Sequence, residues 1–74
     1  MEEIRRDKVG VKLRRLRGKK SINEVATAWG VTPQAVWQYE QGLRMPNDSV
    51  KLVIAKYYEA TVDEIFFNPK VSKL

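Results

Sequence analysis

The stretch SINEVATAWGVTPQAVWQYEQG, residues 21–42, decides the fold of this chain. It opens with Ser21, a favoured helix N-cap, and carries Glu24 where a capping box places an acidic residue. Gly30 predicts the end of this helix, because glycine readily adopts the left-handed conformation of a helix C-cap. Its apolar residues recur at helical spacing and predict one buried face: Ile22, Val25, Ala26 and Trp29.

The second half of the stretch predicts another helix directly after the first. Thr32 can cap it, and Pro33 stands at the first helical position, where its missing N–H costs nothing. Gly42 stands just past its end. Two short helices joined by a tight, glycine-containing turn indicate a helix-turn-helix.

The two faces of this second helix differ in chemistry. Val36, Tyr39 and Glu40 are predicted to face inward. A polar and aromatic stripe is predicted on the outer side, formed by Gln34, Trp37, Gln38 and Gln41. A merely solvated helix would normally carry Lys and Glu, whereas glutamine amides supply the paired donors and acceptors that can read base edges.

The composition narrows the range of functions. The chain has 74 residues, with 14 Lys and Arg against 9 Asp and Glu, and a formal net charge of +5. This balance favours a polyanionic partner, and the length favours one small domain. The sequence contains neither cysteine nor histidine, so we expect no disulfide, metal site or catalytic base, and no cofactor or small-molecule substrate is evident. No apolar run has the length of a membrane span, so we expect a cytoplasmic protein.

Helices are also predicted on both sides of the central stretch. Val9, Leu13 and Leu16 form an apolar stripe on a first helix from about Lys8 to Arg17. A basic cluster follows, which is either a solvated face or a phosphate-facing surface: Arg14, Arg15, Arg17, Lys19 and Lys20.

The C-terminal half predicts two further helices. Asn47 or Asp48 can cap a fourth helix that runs to about Glu59. Thr61 and Glu64 form a capping box at the start of a short fifth helix. We therefore divide the chain into a flexible N-terminal segment (1–8), one domain (9–67) and a C-terminal tail (68–74).

Several short motifs occur in a characteristic order. They are Leu16-Arg17, Glu24-Val25-Ala26, Gly30-Val31-Thr32, Tyr39 to Gly42, Arg44 to Pro46, Ile54-Ala55 and Val62 to Phe67. In this order and spacing the chain resembles the Cro and phage-repressor type helix-turn-helix regulators, the xenobiotic response element family. The resemblance implies an all-α, compact five-helix bundle of the lambda-repressor-like DNA-binding type, whose third helix enters the DNA major groove.

The resemblance also implies roles for individual residues. The base-reading positions are Gln34, Trp37 and Gln38, with adenine N6 and N7 as the natural partners of a glutamine amide. Trp37 either packs on a thymine methyl or sugar edge or folds over its own helix. Gln41 and Arg44 match positions that face the DNA backbone, and Ser21, Thr32 and Pro33 are assigned to the same role at the helix starts. Lys19 and Lys20 are added to this set by their charge, as a replacement for the phosphate contact that Ile22 cannot make. Two residues depart from the family pattern: Pro33 replaces a common polar residue, and Ile22 replaces a common phosphate-binding glutamine.

Glu40 is an acidic residue on the inner side of the predicted recognition helix. In the family such a residue pairs with an arginine of the first helix. Arg17 is the first choice of partner, and Arg14 and Arg15 are the alternatives. We interpret the pair as structural rather than catalytic.

The leading hypothesis is a sequence-specific, double-stranded-DNA-binding transcriptional regulator, a repressor that acts as a homodimer on an inverted repeat. Apolar residues beyond the needs of one core could form the dimer surface or simply belong to the core: Tyr57, Tyr58, Phe66, Phe67, Val71 and Leu74. The alternative is a protein-interaction module on the same fold, such as an antitoxin, an anti-repressor target or a recombination-complex subunit. A regulatory protein partner remains open in either case, and an enzyme ranks third.

Overall fold

A computed structural model describes residues 6–67, with side chains from Lys8 onward. Within this part of the chain every regular element is helical. The elements are α1 (Arg6–Arg17), α2 (Ile22–Trp29), α3 (Pro33–Glu40), α4 (Asp48–Tyr57) and α5 (Asp63–Phe67). The expected all-α architecture of five helices with a central helix-turn-helix is confirmed.

The helix ends refine the predicted boundaries. α1 begins at Arg6 rather than Lys8, so residues 6–8 of the predicted N-terminal segment lie inside this helix. α4 ends at Tyr57 rather than near Glu59, which has a left-handed φ of 56°. Residues 1–5 and the predicted tail 68–74 lie outside the described residues.

Side-chain caps fix the starts of the last two helices. Asn47, not Asp48, caps α4, because its Oδ1 accepts the Val50 N–H at 3.0 Å. The capping box of α5 is reciprocal: Thr61 Oγ1 accepts the Glu64 N–H at 3.0 Å, and Glu64 Oε1 accepts the Thr61 N–H at 3.0 Å. α5 itself is a single turn of π-helix, a wider turn than the expected α-helix.

The core is built around α3, which packs against both α1 and α2. α2 also contacts α4, and α1 contacts α5. The most deeply buried large side chains come from all five helices: Val9, Leu13, Val25, Val36, Ile54, Ile65 and Phe66. Burial of this apolar surface is the main force that holds α3 in place.

Gly10 allows α1 and α3 to approach closely. A Cβ atom at this position would lie 2.3 Å from the Glu40 carbonyl oxygen and 2.9 Å from that of Tyr39. Both oxygens belong to backbone, so neither can rotate away as a side chain would. Glycine is therefore required here for contact rather than for a special φ angle.

The residues considered for a dimer surface separate into two groups. Phe66 is fully buried, so it belongs to the core and is not available to a partner. Tyr57 and Tyr58 are half-buried and pack on the core. Phe67 is 47% exposed. Val71 and Leu74 lie outside the described residues.

Candidate nucleic-acid interface

The inner face of α3 is anchored in the core. Ala35, Val36 and Tyr39 are all buried, with at most 6% of their surface exposed. Thr32 caps the helix through its Oγ1, which accepts the Ala35 N–H at 3.1 Å, and Pro33 occupies the first turn. The helix therefore has a fixed start and a fixed rotation about its own axis.

The turn between α2 and α3 is equally well defined. Ser21 caps α2 by accepting the Glu24 N–H at 3.0 Å. Gly30 ends it in the left-handed conformation with φ 75°, and the Gly30 and Val31 N–H groups both donate to the Ala26 carbonyl, at 2.9 and 3.0 Å. These contacts set the angle at which α3 leaves the turn.

Glu40, at the end of α3, is held by Arg17 at the end of α1. Arg17 Nε donates to Glu40 Oε2 at 2.7 Å, and Nη2 donates to Oε1 at 3.1 Å. Arg17 Nη1 also donates to the Lys20 carbonyl at 2.7 Å, so one side chain joins α1, the following loop and α3. The hydrogen bond to Glu40 raises the pKa of Arg17 above its ordinary value. Arg17 is the arginine that we expected first among the three candidate partners of Glu40.

The outer face of α3 carries the polar stripe. Gln34 and Gln41 are exposed and Gln38 is half-buried. Trp37 is 46% exposed, an unusual position for an indole, which is normally buried in a small domain. The structure thus brings the three base-reading candidates onto one surface with Gln41.

Arg44 lies against this same surface. Its Nη1 donates to Gln38 Oε1 at 3.3 Å, and its guanidinium carbon lies 5.7 Å from the centre of the Tyr39 ring. The loop that carries Arg44 is tied to α3 by a bond from the Leu43 N–H to the Gln38 carbonyl at 2.9 Å. The sequence did not reveal this contact between a base-reading and a backbone-facing candidate, because it depends on the path of the loop.

Lys19 and Lys20 lie on the loop between α1 and α2, and both are exposed. Lys20 Nζ donates to the Tyr57 hydroxyl at 3.1 Å and lies 4.7 Å from the centre of that ring. The hydrogen bond to Tyr57 raises the pKa of Lys20. Tyr57 therefore orients one of the predicted backbone-facing cations, a role that sequence reasoning missed.

Exposed Ser21, Thr32 and Pro33 mark the starts of α2 and α3. Helix N-termini carry partial positive charge and unpaired N–H groups, which suits them to phosphate. The departure at Ile22 is explained by packing, because this side chain is partly buried against the core.

Within residues 6–67, no group of three or more Asp or Glu side chains could hold a metal ion. In the same part of the chain, no helix is both long and apolar enough to cross a membrane.

Residues 8–65 match the protein family described as helix-turn-helix domain. No curated protein matches the sequence. The structure is similar to a crystal structure of the clp gene regulator ClgR from Corynebacterium glutamicum, with a TM-score of 0.73 and 24% identity over 88% of this chain and 71% of that chain. A second crystal structure of ClgR from the same organism gives a TM-score of 0.70 and 24% identity, covering 86% of each chain. At this identity the likeness concerns the fold.

Proposed function

The chain belongs to the helix-turn-helix domain family, whose members are DNA-binding regulators, and from this premise we propose a sequence-specific regulator of transcription that binds double-stranded DNA. In this proposal α3 lies in the major groove and the protein acts as a repressor, without catalysis, in the cytoplasm. The proposed DNA-binding domain comprises residues 9–67.

One observation carries the proposal: the outer face of α3 exposes side chains that can contact bases, and the inner face of the same helix is fixed in the core. Gln34 and Trp37 are exposed on a helix whose opposite side is buried in the core. A rigid helix fixes where each side chain meets a base edge, so little ordering entropy is lost on binding. Gln34 and Gln38 are proposed to read bases, and Trp37 is proposed to pack on a thymine methyl or sugar edge.

The DNA backbone is proposed to contact the rim around α3. Exposed cations lie in the two loops that flank the helix-turn-helix in the chain, with Lys19 and Lys20 before α2 and Arg44 after α3. Gln41 and the capped starts of the two helices, with Ser21, Thr32 and Pro33, complete the rim. Such contacts orient the protein and make its affinity depend on salt, but do not themselves read sequence.

A homodimer on an inverted repeat is the proposed binding form. One domain of this size offers few base contacts, and two copies on half-sites about 34–36 Å apart double them. Phe67, at 47% exposure, and Leu52, at 59%, provide apolar surface on α5 and α4, away from the reading helix. The name of ClgR as a clp gene regulator agrees with a role in transcription.

The alternative is a module that binds a protein through the same surface. It is favoured by the exposed apolar groups beside the polar stripe, Trp37 at 46% and Leu43 at 59%. Salt separates the two functions, because phosphate contacts release counterions and apolar contacts do not.

Selection of bound duplexes from a random DNA pool, with the purified chain at near-physiological salt, tests the proposal. The expected result is an enriched inverted repeat that binds two copies, with affinity falling steeply as salt rises. If no sequence enriches and only salt-sensitive background binding remains, the chain is not a sequence-specific reader and the protein-binding alternative takes its place.

A further inference from the structure

Arg44 is held at the edge of the reading surface from three directions. Its guanidinium donates to Gln38 Oε1, and the guanidinium carbon lies over the ring of the buried Tyr39 at 5.7 Å from its centre. Its loop is joined to α3 through the Leu43 N–H and the Gln38 carbonyl. Gly42, with φ 75°, makes the sharp turn that brings the loop back over the helix.

The contact determines how the amide of Gln38 is turned. A guanidinium has donors and no acceptor, so the atom that it contacts must be the carbonyl oxygen of the amide and not its nitrogen. The Gln38 oxygen therefore faces Arg44, and Nε2 lies on the other branch of the amide with its two hydrogens as donors. A glutamine without such a partner could turn over and present either end to a base.

We propose that Arg44 is a positioning residue for base recognition, which fixes Gln38 as a hydrogen-bond donor toward the groove. This inference rests on the proposed DNA-binding function and deepens it. A donor edge fits a base that offers only acceptors, as guanine does with N7 and O6. Adenine, which offers one acceptor and one donor, would have to share the Gln38 oxygen with Arg44, whose positive charge lies beside it. Gln38 therefore selects guanine, rather than the adenine expected for an unconstrained glutamine.

A double-substitution experiment on the enriched duplex tests the inference. The base pair read by Gln38 is identified as the one whose preference Gln38→Ala relaxes. Guanine and adenine duplexes at that position are then compared for the wild type, Arg44→Ala, Gln38→Ala and the double variant. Lys19→Ala is the matched control, because it also removes one exposed cation, from the loop between α1 and α2 rather than from the loop after α3. Circular dichroism verifies that each variant is folded.

The wild type is expected to favour guanine over adenine by about tenfold, a typical discrimination for a good paired contact. Arg44→Ala should free the Gln38 amide and move the preference from guanine toward adenine, and adding Gln38→Ala should remove the remaining preference. Lys19→Ala should weaken binding to both duplexes alike and leave the ratio intact. A ratio that survives Arg44→Ala, or a wild-type preference for adenine, overturns the inference.

A second measurement needs no DNA. The side-chain amide resonances of Gln38 in the unbound protein should move when Arg44 is replaced by Ala, while those of Gln34 stay. Unchanged Gln38 resonances would show that the contact is absent and would reject the inference, whatever the protein binds. If the contact is present but no duplex enriches, the DNA-binding function fails and the inference fails with it.

Discussion

α2 and α3 are two helices of the same length with different roles. Each has eight residues, each starts at a hydroxyl N-cap, Ser21 or Thr32, and each buries one face in the same core. They differ on the outside. The exposed residues of α2 are Asn23, Glu24, Thr27 and Ala28, of which only the acidic Glu24 is long. Those of α3 include Gln34 and Trp37, which are large and uncharged.

The comparison distinguishes the features that form a helix from the features that suit a helix to recognise DNA bases. Caps and apolar spacing act locally and produce the same element twice. The role depends on the long polar side chains left outside and on how firmly the neighbours hold the inner face. The two helices have different second neighbours: α2 packs on α4, whereas the last residues of α3 contact α1 at Gly10 and Arg17.

Removing the ion pair between Arg17 and Glu40 should have the largest effect, a loss of folding stability. In Arg17→Ala the carboxylate of Glu40, whose side chain is only 3% exposed, loses its partner inside the protein. We expect a loss of about 3–5 kcal/mol in the free energy of unfolding, as for a buried ion pair with one partner removed. Urea unfolding measures it.

A double variant distinguishes the effect of the two charges from the effect of side-chain packing. Arg17→Met combined with Glu40→Leu removes both charges and should recover much of the lost stability. Equal instability of the single and double variants would mean that the packing of the arginine stem matters rather than its charge.

The close approach at Gly10 should give the next largest effect. Gly10→Ala places a methyl group 2.3 Å from the Glu40 carbonyl oxygen, so α1 must move away from α3. Overpacking of this kind costs about 1–3 kcal/mol, and we expect the upper end. Thermal unfolding measures it. Val11→Ala, at a position 54% exposed on the same helix, is the control and should change little. Equal effects at the two positions would contradict the close approach.

The outer faces should differ in binding rather than in stability. Gln34→Ala is expected to weaken binding to the enriched duplex by about 1–3 kcal/mol and to relax the preference at one base pair per half-site. Thr27→Ala on α2 is the matched control and should alter neither. Fluorescence anisotropy with specific and random duplexes measures both. If Thr27→Ala has the larger effect, α2 is the reader and the comparison is reversed.

The smallest effect is expected at Tyr58, which packs against α2, and it concerns folding stability at high pH only. Tyr58 packs edge-on against Trp29, with ring centres 6.3 Å apart, and burial raises the pKa of Tyr58 to about 12. The unfolded chain loses this proton near pH 10, whereas the folded protein keeps it until about pH 12. Stability from this group is therefore complete below pH 10 and falls as the pH rises toward 12.

Denaturant unfolding across this pH range measures the decline. In Tyr58→Phe the share of this stability loss that comes from ionisation of Tyr58 should be absent. The same decline in both proteins would assign it to other groups.

Local signals in the sequence predicted most of the fold. The caps at Ser21, Thr32 and Thr61 and the left-handed Gly30 act within a few residues of the chain, so the helix order follows from them. The inward side of α3 also followed from spacing alone, because burial repeats with the helix period.

Contacts between distant residues could not be predicted in the same way. In the sequence Gly10 is only a poor helix former within the first helix, because the backbone that it contacts, at Glu40, is far along the chain. Lys51 is a similar case: a lysine is ordinarily exposed, yet this one is only 9% exposed, with Nζ near the rings of Phe66 and Phe67. The pairing of Arg44 with Gln38 also depends on tertiary structure, and it ties together two roles that the sequence treats as separate.

The two tryptophans provide the most direct test of the division between α2 and α3. The chain contains two, and one lies in each helix: Trp29 is 3% exposed in α2, and Trp37 is 46% exposed in α3. Their indole N–H resonances can be followed by NMR while the enriched duplex is added. The expected result is a saturable shift of the Trp37 signal with little change at Trp29. A shift of the Trp29 signal with Trp37 unchanged would contradict the assignment of α3 as the DNA-reading helix.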